Sequence, residues 1–270
     1  MNTPVVEIIG PAGVGKTTLK NTILQQQRKH LGFRVCSVEH VLREPRLQRP
    51  RFVVSVLGHV VNSFFPIKPP RVLYRQQTIS ERFLTLATCD KSWEQFIAYS
   101  LQIGENDARS AAKRLIAHSF LLTSCMHRVV IESLPYHHCV VLMDEPVGYR
   151  PSLFDPDSQS TEDAIRGYYD KVPLPAAIIY IDANVDTTVD RLLARCRSGG
   201  KVALRHSKLD RTQLKRDTEW ARHLAHTGVA ILSARGVPVH IVKGEDRLQK
   251  SAGEVVSFLG ESFEHCPNVR

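Results

Sequence analysis

One eight-residue segment, residues 10–17, constrains this chain more than any other part of its sequence. It reads GPAGVGKT and fits the pattern G-x-x-x-x-G-K-[ST] at every fixed position. The apolar, β-branched run at 5–9 predicts a buried strand before it, and residues 18–27 predict a helix after it. In this order of elements the glycines let successive backbone N–H groups turn inward, and the start of the helix adds partial positive charge. The segment therefore predicts a binding site for phosphate groups.

Two side chains of this segment have defined chemistry when the ligand is a nucleoside triphosphate. Lys16 is expected to reach the β- and γ-phosphates, and the Thr17 hydroxyl is expected to ligate Mg²⁺. ATP and Mg²⁺ are therefore the expected cofactors. The residues predicted to contact ATP here are Gly10, Pro11, Ala12, Gly13, Val14, Gly15, Lys16, Thr17 and Thr18.

Length and composition favour a single folded domain over residues 1–270. The chain has 270 residues, of which 43% are hydrophobic, so it can bury a substantial core. Its six cysteines are scattered and include no C-x-x-C pair, which favours a cytoplasmic protein with reduced thiols over a disulfide framework or a zinc site. No apolar run approaches the roughly 18 residues that a membrane helix needs, so no membrane partner is expected.

The net charge of +9 is concentrated in one part of the chain. Residues 191–216 hold nine lysines and arginines and one acid, Asp210. A uniformly basic surface would suggest a nucleic-acid partner, whereas one basic block in an otherwise balanced chain suggests a local anionic ligand. A small-molecule partner is therefore favoured, and a nucleic acid is left open as the less favoured one.

The alternation of strands and helices predicts a three-layer α/β fold with a five-stranded, mainly parallel sheet. Helical periodicity from about 76 to 132 predicts a helical insertion over about 40–135. The predicted strands lie at 5–9, 32–38, 139–144, 177–182 and 238–242, and further helices at 161–170, 185–197, 208–235 and 246–260. Ligands of such sheets bind beyond the carboxyl ends of the strands, where Glu39, Asp144 and Asp182 are expected.

Two acidic residues, Asp144 and Glu145, follow the apolar run of the third predicted strand. The Mg²⁺ on a bound triphosphate needs a second anchor, which is usually a carboxylate. We predict that Asp144 provides it together with Thr17. Glu145 could orient an attacking group, accept a proton or bind the substrate, and for either acid the alternative is a cap on the following turn.

Three classes of protein with a glycine segment of this kind compete as interpretations of this chain. The GTPases are excluded because the chain contains no N-K-x-D sequence for guanine. The ABC-type ATPases share the D-E-P ending at 144–146, but they need a glycine-containing signature before that strand. The stretch 127–135 contains no glycine. The small-molecule kinases remain as the first prediction.

The second half of the chain resembles the thymidylate kinases and their relatives among the nucleoside and nucleotide kinases. The resemblance rests on the strand IYIDA and on the following helix, which carries the spacing R-x-x-x-R-x-R. In that family the arginines of this helix close over the phosphates. The resemblance therefore implies that Arg191, Arg195 and Arg197 belong to a basic lid over about 191–216. The chain departs from the family at 144–146, where D-E-P replaces D-R-[YFS].

The same resemblance implies how the catalytic work is divided. Related deoxynucleoside kinases place an acidic base after the second strand, and Glu39 ends the predicted second strand here. The insertion would form the acceptor pocket, and Arg191 would contact the nucleotide. The predicted catalytic residues are Lys16, Glu39, Glu145, Arg195 and Arg197.

These patterns predict an enzyme that moves the γ-phosphate of Mg·ATP to a small-molecule acceptor, such as a nucleoside, a nucleotide or a similar metabolite. Cationic stabilisation of the transferring group is the main requirement of that chemistry, and the basic block is suited to it. The alternative is an ATPase that couples hydrolysis to a protein or nucleic-acid partner. Glu145 would then activate water, and the basic block would bind the partner. A homodimer is left open.

Overall fold

A five-stranded parallel sheet forms the centre of the computed structural model, which describes residues 3–27, 31–43, 71–103, 111–134, 138–154, 161–198 and 210–264, with 71–78 described by backbone alone. The strands are β1 Val5–Ile9, β2 Arg34–Ser37, β3 Cys139–Met143, β4 Ala177–Asp182 and β5 Val239–Lys243. They lie in the order β2-β3-β1-β4-β5, and every neighbouring pair is parallel. The segment that follows β1 therefore starts between the ends of β3 and β4.

Helices connect these strands and cover both faces of the sheet. In chain order they are α1 Lys16–Gln26, α2 Val38–Leu42, α3 Arg71–Cys89, α4 Lys91–Gln102, α5 Ala111–Glu132, α6 Thr161–Lys171, α7 Val185–Arg197, α8 Arg211–Ala234 and α9 Leu248–Phe263. A short 3₁₀ turn spans Pro151–Leu153.

Alternate residues of the strands divide the core into two layers. In β1, Val6 and Ile8 pack against α1 and α9, whereas Val5 and Ile9 pack in the larger core with α2 to α6 and α8. A strand that is buried on both faces consists mostly of apolar, β-branched residues, as the run VVEII shows. Glu7 stands out in this run, since it is a fully buried acid on the side of the larger core.

The predicted α/β architecture with five strands is confirmed, and the sheet is parallel throughout. The predicted helices at 161–170, 185–197, 208–235 and 246–260 correspond to α6, α7, α8 and α9 within three residues at each end. The predicted insertion contains α3, α4 and α5, but residues 44–70 and 104–110 lie outside the described part of the chain. The division into one domain with an insertion therefore stays a prediction.

The predicted end of the second strand is wrong. β2 stops at Ser37, whose hydroxyl accepts a hydrogen bond of 3.2 Å from the His40 N–H and thereby caps α2. Glu39 consequently lies in the first turn of a short helix rather than at the end of a strand. None of the described helices combines length with enough apolar character to cross a bilayer.

Candidate functional site

Residues 10–17, here called the glycine loop, connect β1 to α1. Gly13 has a φ of 84°, and a Cβ at this position would lie 2.7 Å from Leu192 Cγ of α7. Gly15 has a φ of 110° and forms the N-cap of α1, which has no side-chain cap hydrogen bond. A helix start without such a cap is a favourable place for an anion, because the N–H groups of its first turn have no partner within the helix. The loop therefore has the backbone geometry of an anion site.

The Lys16 side chain lies along the glycine loop. Its Nζ donates hydrogen bonds to the carbonyl oxygens of Gly10 at 2.7 Å and Pro11 at 3.0 Å. It also lies 6.0 Å from the centroid of the Tyr149 ring, which is buried against α8. The ammonium group is thus held over the loop. A phosphate bound there could replace the two carbonyl oxygens as its acceptor.

Four side chains from α1, α2 and the end of β3 meet next to the loop, and we call them the Lys20 cluster: Thr17, Lys20, Glu39 and Asp144. The Thr17 hydroxyl donates to Asp144 Oδ2 at 3.0 Å. Lys20 Nζ donates to Asp144 Oδ1 at 2.8 Å and to both carboxylate oxygens of Glu39, at 3.1 and 3.3 Å. The structure therefore brings Thr17 and Asp144 together as predicted, and it adds Glu39 through a lysine that the sequence analysis missed.

The opposite charges in the Lys20 cluster stabilise the ionised forms of Lys20 and Glu39. Burial opposes the charged form of Lys20, whose side chain is 5% exposed, but hydrogen bonds and Coulomb attraction to Asp144 and Glu39 outweigh burial and raise its pKa. Partial burial likewise opposes the charge of Glu39, yet backbone, Ser37 and Lys20 contacts lower its pKa overall. Both groups are therefore charged at neutral pH.

Lys20 could have been found from its position in the sequence. It follows Lys16 by four residues and Thr17 by three, and residues at these spacings share one face of a helix. Its partners could not be inferred from the sequence, because the contact with Glu39 requires β2 and α2 to be placed beside α1.

Glu145 forms its ion pair with Arg150 and not with a residue of the Lys20 cluster. Its side chain is 76% exposed, and Arg150 Nη1 donates to its carboxylate at 3.3 Å. Arg150 is itself buried and donates a second hydrogen bond of 2.9 Å to the Glu145 carbonyl oxygen, which closes the turn after β3. The two candidate acids thus have different partners, a lysine for Glu39 and an arginine for Glu145.

The three predicted lid arginines of α7 differ in what they contact. Arg191 donates to the Val14 carbonyl oxygen of the glycine loop at 3.3 Å and to the Gly244 carbonyl oxygen at 3.0 Å. Arg195 and Arg197 are exposed in the last turn of the helix. Residues 199–209 of the predicted lid lie outside the described part of the chain, so the lid stays a prediction.

Part of the basic block is paired within the protein. Arg211 lies 2.6 Å from Asp190, and Lys215 lies 3.2 Å from Asp186, which links the start of α8 to α7. Both acids precede the block in sequence, so the net charge of 191–216 does not include them. The positive charge available to a ligand is smaller than the sequence suggested.

Asp182, at the end of β4, binds an arginine of α8. Arg222 donates to both of its carboxylate oxygens, Nε at 2.7 Å and Nη2 at 3.1 Å, and the Tyr180 hydroxyl donates at 3.1 Å. The hydrogen bond from Arg222 is the main reason that the pKa of Asp182 is lowered, with further help from Tyr180 and the nearby His226. This acid therefore serves as an ion-pair partner within the protein.

Replacing Arg222 by methionine should destabilise the protein in a pH-dependent way. Because the folded state lowers the pKa of Asp182, the stabilisation is present above the unfolded pKa of about 3.9 and is lost as the pH falls through the folded value. We expect a loss of about 1 kcal/mol in the free energy of unfolding at neutral pH. Urea titrations at neutral pH and near pH 3 should show the difference shrinking on acidification, and a constant difference would contradict this assignment.

The oxygen atoms beside the loop suit a magnesium ion. Mg²⁺ prefers hard oxygen ligands and is usually bound through one or two carboxylates together with substrate phosphates and waters. The Thr17 hydroxyl and the Asp144 carboxylate supply such oxygens next to the glycine loop, and they already contact each other. The described residues contain no group of three or more His, Cys, Asp and Glu side chains that could hold a metal without a substrate.

No protein-family model matches the chain, and no curated protein matches its sequence. Among solved structures, the crystal structure of "a putative kinase from chloroflexus aurantiacus j-10-fl" is 14% identical to this chain. That match covers 96% of this chain and 100% of the other, with a TM-score of 0.31. A likeness this weak carries no argument about fold or function. The function therefore has to be inferred from the site.

Proposed function

We propose that this protein is a kinase that transfers the γ-phosphoryl group of Mg·ATP to a hydroxyl or phosphate group of a small molecule. The acceptor that we favour is a nucleoside or a nucleotide. The observation that carries the proposal is the contact between Thr17 and Asp144 beside the glycine loop. Thr17 and Asp144 lie at the carboxyl edge of a parallel sheet, where they would hold the metal ion of a triphosphate bound to the loop.

The donor side of the site is assigned to the glycine loop. The N–H groups of the loop and of the first turn of α1 would bind phosphate oxygens, and Lys16 would turn from the Gly10 and Pro11 carbonyls to the β- and γ-phosphates. When bound, Mg²⁺ would neutralise charge on the β- and γ-phosphates. Thr17 and Asp144 would hold it, and Arg191 would fix the loop from the side of α7.

Glu39 is our candidate for the base that takes the acceptor proton. In the reaction the acceptor oxygen loses its proton to a carboxylate, its bond to Pγ forms, the bond from Pγ to the β-γ bridging oxygen breaks, and ADP leaves. Glu39 shares Lys20 with the proposed metal ligand Asp144, so its carboxylate is ionised and lies beside the proposed phosphate site. Arg195 and Arg197 would stabilise the charge on the transferring group when the basic block closes.

The two candidate acids are distinguished by matched substitutions. We expect Glu39→Gln to lower kcat by about 10²-fold or more, because a general base contributes that much, and Glu145→Gln to lower it less. Both changes remove one charge and keep the side-chain shape. Steady-state rates for the two variants decide the assignment, and the reverse order would move the role of base to Glu145.

The proposal as a whole is tested by the stimulation of ADP formation. The protein is incubated with Mg·ATP and with each member of a panel of nucleosides, nucleotides and sugars, and ADP is measured. Stimulation by one class of acceptor is the expected result. Stimulation by DNA or RNA, with no effect of any small molecule, would favour the ATPase alternative and contradict the proposal.

A further inference from the structure

One buried acid next to the site has no role in the proposed reaction. Glu7 lies in the middle of β1, three residues before the glycine loop, and is fully buried. Its carboxylate accepts hydrogen bonds from the N–H groups of Val147 at 3.0 Å and Gly148 at 2.8 Å, and from Arg128 Nη1 at 3.0 Å. An acid in the central strand of the sheet thus binds the turn that follows Asp144.

Arg128 extends this contact to the helices of the larger core. The guanidinium is fully buried, donates from Nε to Glu132 at 2.8 Å and from Nη2 to the Leu174 carbonyl oxygen, and lies 5.3 Å from the centroid of the Trp93 ring. Its hydrogen bonds and its charge are therefore satisfied by fixed partners. Glu7 is held in place from α5 while it binds the turn.

The ion pair between Glu7 and Arg128 does not by itself account for an acid at this position. Desolvation of a buried ion pair offsets much of its attraction, and well-packed apolar residues of similar volume are often as stable or more stable. An apolar residue at position 7 would also continue the pattern of β1. What an apolar residue could not supply is an acceptor for the two N–H groups of the turn, which would be buried without partners.

The turn itself is shaped around the carboxylate. A Cβ at Gly148 would lie 2.7 Å from Glu7 Oε2, so a larger residue would push the carboxylate away from its N–H partners. The carbonyl of Val147 is bound from the other side by the buried Tyr168 hydroxyl. The peptide between Val147 and Gly148 is thus bound at both its C=O and its N–H.

We propose that Glu7 is a positioning residue, which fixes the turn after β3 and thereby sets the position of Asp144 relative to Thr17 and Lys20. This inference rests on the proposed function, in which Asp144 holds the metal ion. The sequence distance is short, since only Glu145 and Pro146 separate Asp144 from Val147. A shift of the turn would displace the Asp144 carboxylate, and misplacement by about 1 Å can cost about 10²-fold in rate.

Glu7 and Glu132 both form ion pairs with Arg128, so substitutions at these two acids make a matched pair of variants. Glu7→Gln and Glu132→Gln each remove one carboxylate from Arg128, but Glu7 binds the turn as well. We expect Glu7→Gln to lower kcat by about 10- to 100-fold and to raise the Mg²⁺ concentration for half-maximal rate, as is typical of residues that orient a metal ligand. Glu132→Gln should destabilise the protein and leave both kinetic quantities nearly unchanged. Gly148→Ala should act like Glu7→Gln without changing any charge.

Hydrogen exchange at the turn provides a readout that does not depend on turnover. In the protein without nucleotide or metal, the N–H groups of Val147 and Gly148 should be protected in the wild type and in Glu132→Gln, and should exchange faster in Glu7→Gln and Gly148→Ala. Equal exchange at the turn, or equal kinetic losses in the two glutamine variants, would overturn the proposal. If the wild type has no kinase activity, the proposed function fails, and the exchange result still decides whether Glu7 fixes the turn.

Discussion

Replacing Lys16 by methionine is expected to abolish phosphoryl transfer while leaving the protein folded. Methionine keeps most of the length of the side chain but removes the ammonium group that would contact the β- and γ-phosphates. Comparable losses of a cationic group at a transferring phosphate lower kcat by about 10³-fold or more. The Lys16 ammonium donates hydrogen bonds to two carbonyl oxygens of its own loop, so a small change in the melting temperature is expected.

Lys250→Met is the control for this variant. Lys250 lies on α9, where it pairs with Asp246 and Glu254 on the surface, so the same chemical change there should leave turnover intact. Rates are measured at saturating Mg·ATP, and binding of Mg·ATP is measured by calorimetry. A Lys16→Met protein that binds and turns over ATP like the wild type would exclude the glycine loop as the donor site.

Replacing Asp144 by asparagine has the second largest expected effect. The change keeps the size of the side chain but removes the charge that would bind Mg²⁺, which is worth several kcal/mol at the transition state, or about 10²- to 10³-fold in rate. Lys20 would also lose one of its two acidic partners and be left with Glu39. We therefore expect a slower enzyme that needs more Mg²⁺ and unfolds at a lower temperature.

The effect of Asp144→Asn on Mg²⁺ binding can be measured separately from its effect on stability. Rates are recorded against Mg²⁺ concentration well below the melting temperature of each variant. Asp190→Asn, which breaks the exposed pair with Arg211, is the control and should leave the Mg²⁺ dependence unchanged. An Asp144→Asn protein with the wild-type Mg²⁺ dependence would show that another group holds the metal.

The sheet was predictable because its strands carry a strong local signal. β1, β3 and β4 are buried on both faces, so each is a short, mostly apolar run that stands out from the loop residues after it. β2 lies at the edge of the sheet and is half-exposed, so its pattern is weaker. Ser37 caps a helix that begins at Val38, so the prediction that Glu39 ends a strand was wrong.

The site was predictable where its residues belong to one motif or follow a strand. Thr17 and Asp144 are distant in sequence, yet a parallel sheet brings the ends of β1 and β3 together, and their contact follows from the predicted fold. Lys20 and Glu7 were missed because each looks ordinary in sequence, one as a helix-surface lysine and the other as a single acid in a strand. Their importance depends on tertiary partners, Glu39 for the first and Arg128 for the second.

The fate of the γ-phosphoryl group is the most direct test of the proposed reaction. ATP labelled at the γ-phosphate is incubated with the protein, Mg²⁺ and the acceptor that stimulates ADP formation, and the label is followed into the acceptor and into inorganic phosphate. We predict that the label appears on the acceptor in an amount equal to the ADP formed, and that Lys16→Met and Asp144→Asn both prevent this transfer. Label found in inorganic phosphate alone, at the same rate with and without the acceptor, would contradict it.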